Sequence, residues 1–144
     1  MTTEFKFALD YATAAHHGQV DKNGVDYIQH PIAVAESLDK REEEYLRVAA
    51  LLHDVVEDTD VTLEDLTYLG IDARAVAIVD VLTRRDGETY FDYVKRIVNS
   101  KNGAAIQVKI ADVAHNMSRP YPGDEGMKKR YAKTLAILND YFKL

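Results

Sequence analysis

The sequence predicts an all-α fold, an irregular multi-helix bundle, and three observations carry that prediction. Apolar residues recur at helical spacing along most of the chain, and no run alternates with period two between hairpin turns. The three prolines and seven glycines fall between these periodic segments. The segments are short and unequal, which favours irregular packing over a regular up-and-down bundle. With 144 residues, 47% of them hydrophobic, the chain has the size of one domain, taken as residues 1–144, and enough apolar side chain to fill a core.

Each element has its own warrant. Phe5, Phe7, Leu9, Tyr11, Ala12 and Ala15 mark a first helix ending near Gly18. Residues 18–29 read as a loop that turns at Asn23-Gly24. His30-Pro31 opens a second helix, because the N–H that proline lacks is not needed in a first turn. Ile32, Val34, Ala35 and Leu38 supply its apolar face. From Glu43 to Asp58 the chain reads as one helix. Its apolar residues (Tyr45, Val48, Ala49, Leu51, Leu52, Val55, Val56) are too dense for a surface stripe and place it centrally. Thr62 and Asp65 form a capping box for a short helix. Asp72 and Thr89 are N-caps for helices over 73–82 and 90–98. A mostly apolar helix follows over 104–117, then a loop over 119–126 and a terminal helix over 127–142.

Composition removes several functions. There is no cysteine, so disulfides, zinc–thiolate sites, iron–sulfur clusters and cysteine nucleophiles are excluded. Any metal must sit on His, Asp and Glu. Eighteen Lys and Arg against 24 Asp and Glu give a net charge of −6, which disfavours gripping DNA or RNA by its phosphates. No stretch approaches the ~18–20 apolar residues of a membrane span, and no basic leader precedes an apolar run. The expectation is a soluble cytoplasmic protein whose partner is a small molecule.

The chemistry lies where polar residues interrupt apolar helices. His53-Asp54 sits between Ala49-Ala50-Leu51-Leu52 and Val55-Val56, and Asp112 between Ile110-Ala111 and Val113-Ala114. An unpaired carboxylate buried there is costly, so each needs a cation or a full set of donors. With His30, these residues make two imidazoles and two carboxylates, a set that coordinates one divalent ion and suits Mn, Fe or Zn more than Ca or Mg. Glu57 follows His53 by four residues and Asp58 follows Asp54 by four, so on a helix each pair shares a face. A carboxylate one turn from a metal ligand is within reach of activated water, a geometry suited to attack on phosphorus. Singly, each residue has an ordinary structural explanation: a core histidine, an ion-pair partner, a solvated helix end. Their order along the chain gives all of them one shared explanation.

That order, His30, then His53-Asp54, then Asp112, resembles the HD-domain metal-dependent phosphohydrolases. Three blocks narrow the likeness: HHGQVDKNGVDYIQHPIAVA (16–35), AALLHDVVEDTDVT (49–62) and VKIADVAHNM (108–117). They look like the hydrolase domain of the RelA/SpoT alarmone enzymes and their stand-alone small relatives, over roughly residues 5–119. The resemblance implies an all-α HD-domain bundle holding a divalent metal, usually Mn2+, that removes the 3′-pyrophosphate from (p)ppGpp. It implies His30, His53, Asp54 and Asp112 as metal ligands and Glu57 and Asp58 as the acidic pair that positions and activates water. It further implies Lys22 and Asn116 as substrate contacts.

Two departures from the family pattern stand out. Asp21 occupies the position of an arginine that stacks on the guanine base, and the segment 111–116 (ADVAHN) lacks its basic residue. An aspartate cannot stack as a guanidinium does and repels a nearby phosphate. Phosphohydrolase chemistry is therefore expected, with recognition of the base altered. Arg84, Arg85, Tyr90 and Tyr93 offer phosphate contacts and a stacking surface, although each alone reads as helix-end packing. His16 and His115 are expected not to be ligands, and His17 to have a structural role near the site. Lys128, Lys129, Arg130 and Lys133 read as a solvated face of the last helix. Two other readings stand beside the enzyme: a non-enzymatic nucleotide sensor that keeps the fold, and a helical interaction module whose polar residues only form ion pairs.

Overall fold

A computed structural model describes residues 2–119 and 122–143. Its elements, among the described residues, are nine helices: α1 (Thr3–Ala15), α2 (Gln29–Ser37), α3 (Glu44–Leu52), α4 (Val55–Asp58), α5 (Leu63–Tyr68), α6 (Ala73–Leu82), α7 (Tyr90–Asn99), α8 (Gly103–Ser118) and α9 (Glu125–Asp140). Of the loop expected over 119–126, Pro120 and Tyr121 lie outside the described residues, as do Met1 and Leu144 at the ends. Between α1 and α2 the only strand-like pairing among the described residues is a single antiparallel bridge, Val20 with Asp26. It closes the turn where Gly24 takes a φ of 79°, a conformation that glycine adopts without a Cβ clash.

Helix α3 is the hub, packed against α1, α2, α6 and α8. Val48, Ala49, Ala50, Leu51 and Leu52 are all buried in sequence, so this helix is apolar all round because it has neighbours all round. Helix α8 lies against α2, α3 and α6, and α9 covers α7 and α8. The expected caps form. Thr62 and Asp65 make a reciprocal capping box on α5, Asp72 accepts from the Arg74 N–H on α6, and Thr89 accepts from the Asp92 N–H on α7. Each satisfies a backbone donor that the first helical turn leaves open.

The single helix expected over 43–58 is two helices broken at His53-Asp54. The His53 ring explains the break. Its Nδ1 lies 2.6 Å from the Ala50 carbonyl, the acceptor that the Asp54 N–H would use in an uninterrupted helix. Past the break the helix resumes, with the Asp58 N–H donating to the Asp54 carbonyl at 3.0 Å. The turn between Asp54 and Asp58 therefore survives.

The last helix also differs from its expected form. Lys128 and Lys129 are exposed, but Arg130 is part-buried: its guanidinium lies 3.5 Å from the centre of the Tyr90 ring, and its Nε is buried. Lys133 sits 4.2 Å from the Phe91 ring centre. Cations of α9 thus seat on the aromatic face of α7, where a ring quadrupole replaces part of their hydration.

Candidate metal centre and active site

Four elements converge on one point. His30 comes from the first turn of α2, His53 from the C-terminus of α3, Asp54 from the entry to α4, and Asp112 from the middle of α8. One ligand atom from each lies within 4.8 Å of the others. His30 Nε2 is 2.7 Å from Asp112 Oδ1, and His53 Nε2 is 2.9 Å from Asp54 Oδ2 and 3.4 Å from Asp112 Oδ1.

The surroundings fix each ligand. The Ala50 carbonyl accepts from the His53 ring, which puts a proton on Nδ1 and turns Nε2 inward. That Nε2 is buried and makes no hydrogen bond of acceptable geometry, although two carboxylates face it. His30 Nδ1 meets His115 Nδ1 at 2.7 Å. The Tyr27 hydroxyl donates to Asp54 Oδ2. The Lys109 ammonium, one turn before Asp112, donates to its Oδ2 at 2.9 Å and leaves Oδ1 to face the histidines.

The field at this point calls for positive charge. Burial alone would lower the His53 pKa, but Asp54 and Asp112 hold it well above its ordinary value. Burial would raise Asp112, yet Lys109 and His53 hold it well below the usual carboxylate range. Burial and the Asp54 charge push the Tyr27 phenol up, so it stays a donor. Two imidazoles, one of them with its buried Nε2 unbonded, and two carboxylates make a donor set that fits a divalent ion.

Glu57 and Asp58 line the cleft beside the ligands. The Arg84 backbone N–H donates to Glu57 Oε1. Burial raises the carboxyls of both residues above their ordinary values, and the Asp54 charge adds to it, against the Arg84 N–H in the case of Glu57. The loop that presents Arg84 is braced by Arg96, which pairs with Glu88 at 2.8 Å and donates to the Val81 and Thr83 carbonyls.

The cleft measures about 490 Å³, within the range of small-molecule sites. Lys22 and Asn116 line it, Asn116 with its Nδ2 3.5 Å from Asp112 Oδ1 and Lys22 paired with Asp124 at 3.1 Å. The side chains of Arg84 and Tyr90 do not line it. Arg84 Nε turns to the Glu88 carbonyl at 3.0 Å, so the contribution of Arg84 is its backbone, and Tyr90 packs under Arg130. Arg85 pairs with Asp80, and Tyr93 is buried with its hydroxyl on the Leu82 carbonyl. The near-site histidine of the 16–17 pair is His16, not His17. His16 is buried, with its ring 4.9 Å from that of Tyr27, while His17 is exposed.

Sequence reasoning missed Tyr27, Lys109 and the support His115 gives to His30. The signal for Lys109 was present: it lies three residues before Asp112 in an otherwise apolar stretch, the spacing at which helix neighbours touch.

This is a helical scaffold that gathers histidine and aspartate side chains from separate helices at one point that could hold a metal ion. The chain belongs to the HD-domain family, whose model matches residues 8–118. The HD domain implies a divalent metal. It is 36% identical over 115 residues to the bifunctional (p)ppGpp synthase/hydrolase SpoT of Escherichia coli (strain K12), covering 74% of this chain and 16% of that protein. It is 35% identical over 139 residues to a GTP pyrophosphokinase of Streptomyces coelicolor, covering 90% of this chain and 16% of that protein. It thus spans about a sixth of the length of these curated relatives. A solved structure described as a metazoan ortholog of SpoT that hydrolyzes ppGpp superposes with a TM-score of 0.81 at 25% identity, over 99% of this chain and 87% of the other. Among the described residues no helix is long and apolar enough to cross a membrane.

Proposed function

We propose that this chain is a divalent-metal-dependent phosphohydrolase that removes the 3′-pyrophosphate from (p)ppGpp or a closely related nucleotide. The observation that carries the reading is the buried, unpartnered Nε2 of His53 facing two carboxylates and a second imidazole, with Glu57 and Asp58 on the adjoining wall. The likeness to proteins whose names and titles state ppGpp hydrolysis supports the substrate class.

His30, His53, Asp54 and Asp112 would hold the ion, Mn2+ in this reading, which supplies Lewis-acid polarisation and a lowered water pKa when bound. Asp58 and Glu57 orient the attacking water and take its proton, and the basicity that burial adds to both suits that task. Water adds to the phosphorus attached to the ribose 3′ oxygen, the bond to that oxygen breaks, and the oxygen leaves with a proton as a hydroxyl. The products are pyrophosphate and a nucleotide with a free 3′-OH. Lys22 and Asn116 contact the phosphates and sugar. We place the protein in the cytoplasm with a small phosphorylated nucleotide as its partner and no nucleic acid, in keeping with its net charge of −6.

The test is a metal analysis followed by a substrate panel of ppGpp, ppApp, NADPH and simple nucleotides, run with Mn2+. Pyrophosphate release from a 3′-diphosphate, abolished by chelation and by Asp54→Ala, is expected. No turnover of any phosphate ester by metal-loaded protein would overturn the reading, and tight binding without turnover would make the chain a sensor.

A further inference from the structure

The mouth of the cleft holds a pair of side chains that the reaction above leaves unused. Asp21, on the loop before α2, and Arg119, at the C-terminus of α8, both line the cleft and meet at 3.3 Å between Oδ2 and Nη2. Asp21 is not free to turn away. Its Oδ1 accepts from the Asn23 N–H at 2.8 Å and the Val25 N–H at 3.0 Å, so the turn itself aims its other oxygen at Arg119. Arg119 is the one guanidinium among the described residues lining the cleft; the remaining cations there are ammonium groups. Of these, Lys109 is committed to Asp112 on the floor and Lys22 is paired with Asp124.

An ammonium is a point charge, whereas a guanidinium has an edge that donates and a flat face that stacks. Here one nitrogen of that edge, Nη2, lies in ion-pair range of a carboxylate that its own turn holds in place. A phosphate arriving at that edge would stand beside the fixed charge of Asp21 and be repelled by it. The flat face carries no such penalty, because stacking on a π-system asks only for the plane and the positive charge.

We propose that Asp21 and Arg119 form a base-binding platform: Asp21 pins the guanidinium edge, and the face of Arg119 stacks on the purine base of the nucleotide whose phosphates reach the metal ligands. The proposal rests on the phosphohydrolase reading for its substrate class. Asp21 is then a positioning residue and Arg119 the residue that touches the base.

The test compares wild type, Arg119→Ala, Arg119→Lys and Asp21→Asn, metal-loaded. Calorimetry measures binding of a purine nucleoside 3′,5′-bisphosphate and of the matching abasic ribose bisphosphate, and KM and kcat are measured where turnover occurs. Arg119→Ala should weaken nucleotide binding about tenfold, a factor typical of one stacked base, with the loss in KM rather than kcat. It should leave the abasic ligand unaffected. Arg119→Lys keeps the charge but loses the plane and should fall with Arg119→Ala. Asp21→Asn keeps the turn acceptor, releases the guanidinium and should weaken nucleotide binding by a smaller factor. If Arg119→Lys binds like wild type, or the abasic ligand weakens equally, Arg119 is a phosphate clamp and the platform is refuted. Absence of nucleotide binding by wild type also refutes it. Binding is read without turnover, so a protein that binds but does not hydrolyse would sink only the enzyme reading.

Discussion

The floor of the cleft and its mouth are built by different rules. On the floor, each of the four ligands is largely or wholly buried, comes from a separate helix and is held by a second group: Ala50 for His53, His115 for His30, Tyr27 for Asp54, Lys109 for Asp112. At the mouth, Lys22–Asp124 and Asp21–Arg119 are part-exposed ion pairs that join a loop to the ends of two helices. Buried polar groups are costly when misplaced, so the floor tolerates one arrangement. Exposed pairs contribute little and are screened, so the mouth can change its residues without disturbing the core. In the proposed function, the contrast separates the part that would set the chemistry from the part that would select the substrate.

Attacking the floor should produce the largest effect. Asp54→Asn should release the metal and bring phosphohydrolase activity to background, read by elemental analysis and pyrophosphate release; retained stoichiometric metal would remove Asp54 from the ligand set. Glu57→Gln should keep the metal and lower kcat by roughly 10²- to 10⁴-fold, the range of a proton-transfer group. Wild-type kcat in that variant would show that another group handles the proton. His115→Ala leaves the ligands in place but frees the His30 ring, and should weaken metal affinity by about 10- to 100-fold in competition titrations with a chelator. An unchanged affinity would make His115 a bystander.

The pH dependence sharpens the comparison further. Glu57 and Asp58 have folded-state pKa values raised by burial, so the folded chain binds their protons more tightly than the unfolded chain. Their contribution to metal-free stability is full below their ordinary carboxylate values and is lost as pH rises through the raised ones. Urea melts across that window should show this slope, and Glu57→Gln with Asp58→Asn should flatten it; an unchanged slope would place the titration elsewhere. The smallest effect belongs to the mouth. Lys22→Ala should change stability by no more than about 1 kcal/mol, and a larger loss in the same melts would mean that the Lys22–Asp124 pair is part of the core.

Much of the floor was legible in the sequence because burial makes polar residues conspicuous. Asp112 between Ile110-Ala111 and Val113-Ala114 has to be explained, and the explanation is shared with His53-Asp54. The caps at Thr62, Asp72 and Thr89 were legible for the same local reason, since a side chain that bonds its own helix start needs no distant partner. What escaped depends on partners far along the chain. Tyr27 reaches Asp54, and Arg119 reaches Asp21, through contacts no spacing rule contains. Asp21 read as a repulsive substitution, and its role as a turn residue and guanidinium partner emerged only with the loop's path. The choice between His16 and His17 turns on which way the chain leaves α1, and the break at His53 on a ring competing with a backbone N–H.

That competition ties two events together. The imidazole that halts α3 is the one whose far nitrogen faces the candidate metal site, so the register of the central helix and the aim of that nitrogen are set by one bond. A residue at position 53 without a ring donor would let the helix run on through Asp54. The acidic segment beyond would rotate with it, and Asp54, Glu57 and Asp58 would swing out of line together. In the proposed reading, whatever constrains the metal site also constrains where the core helix stops.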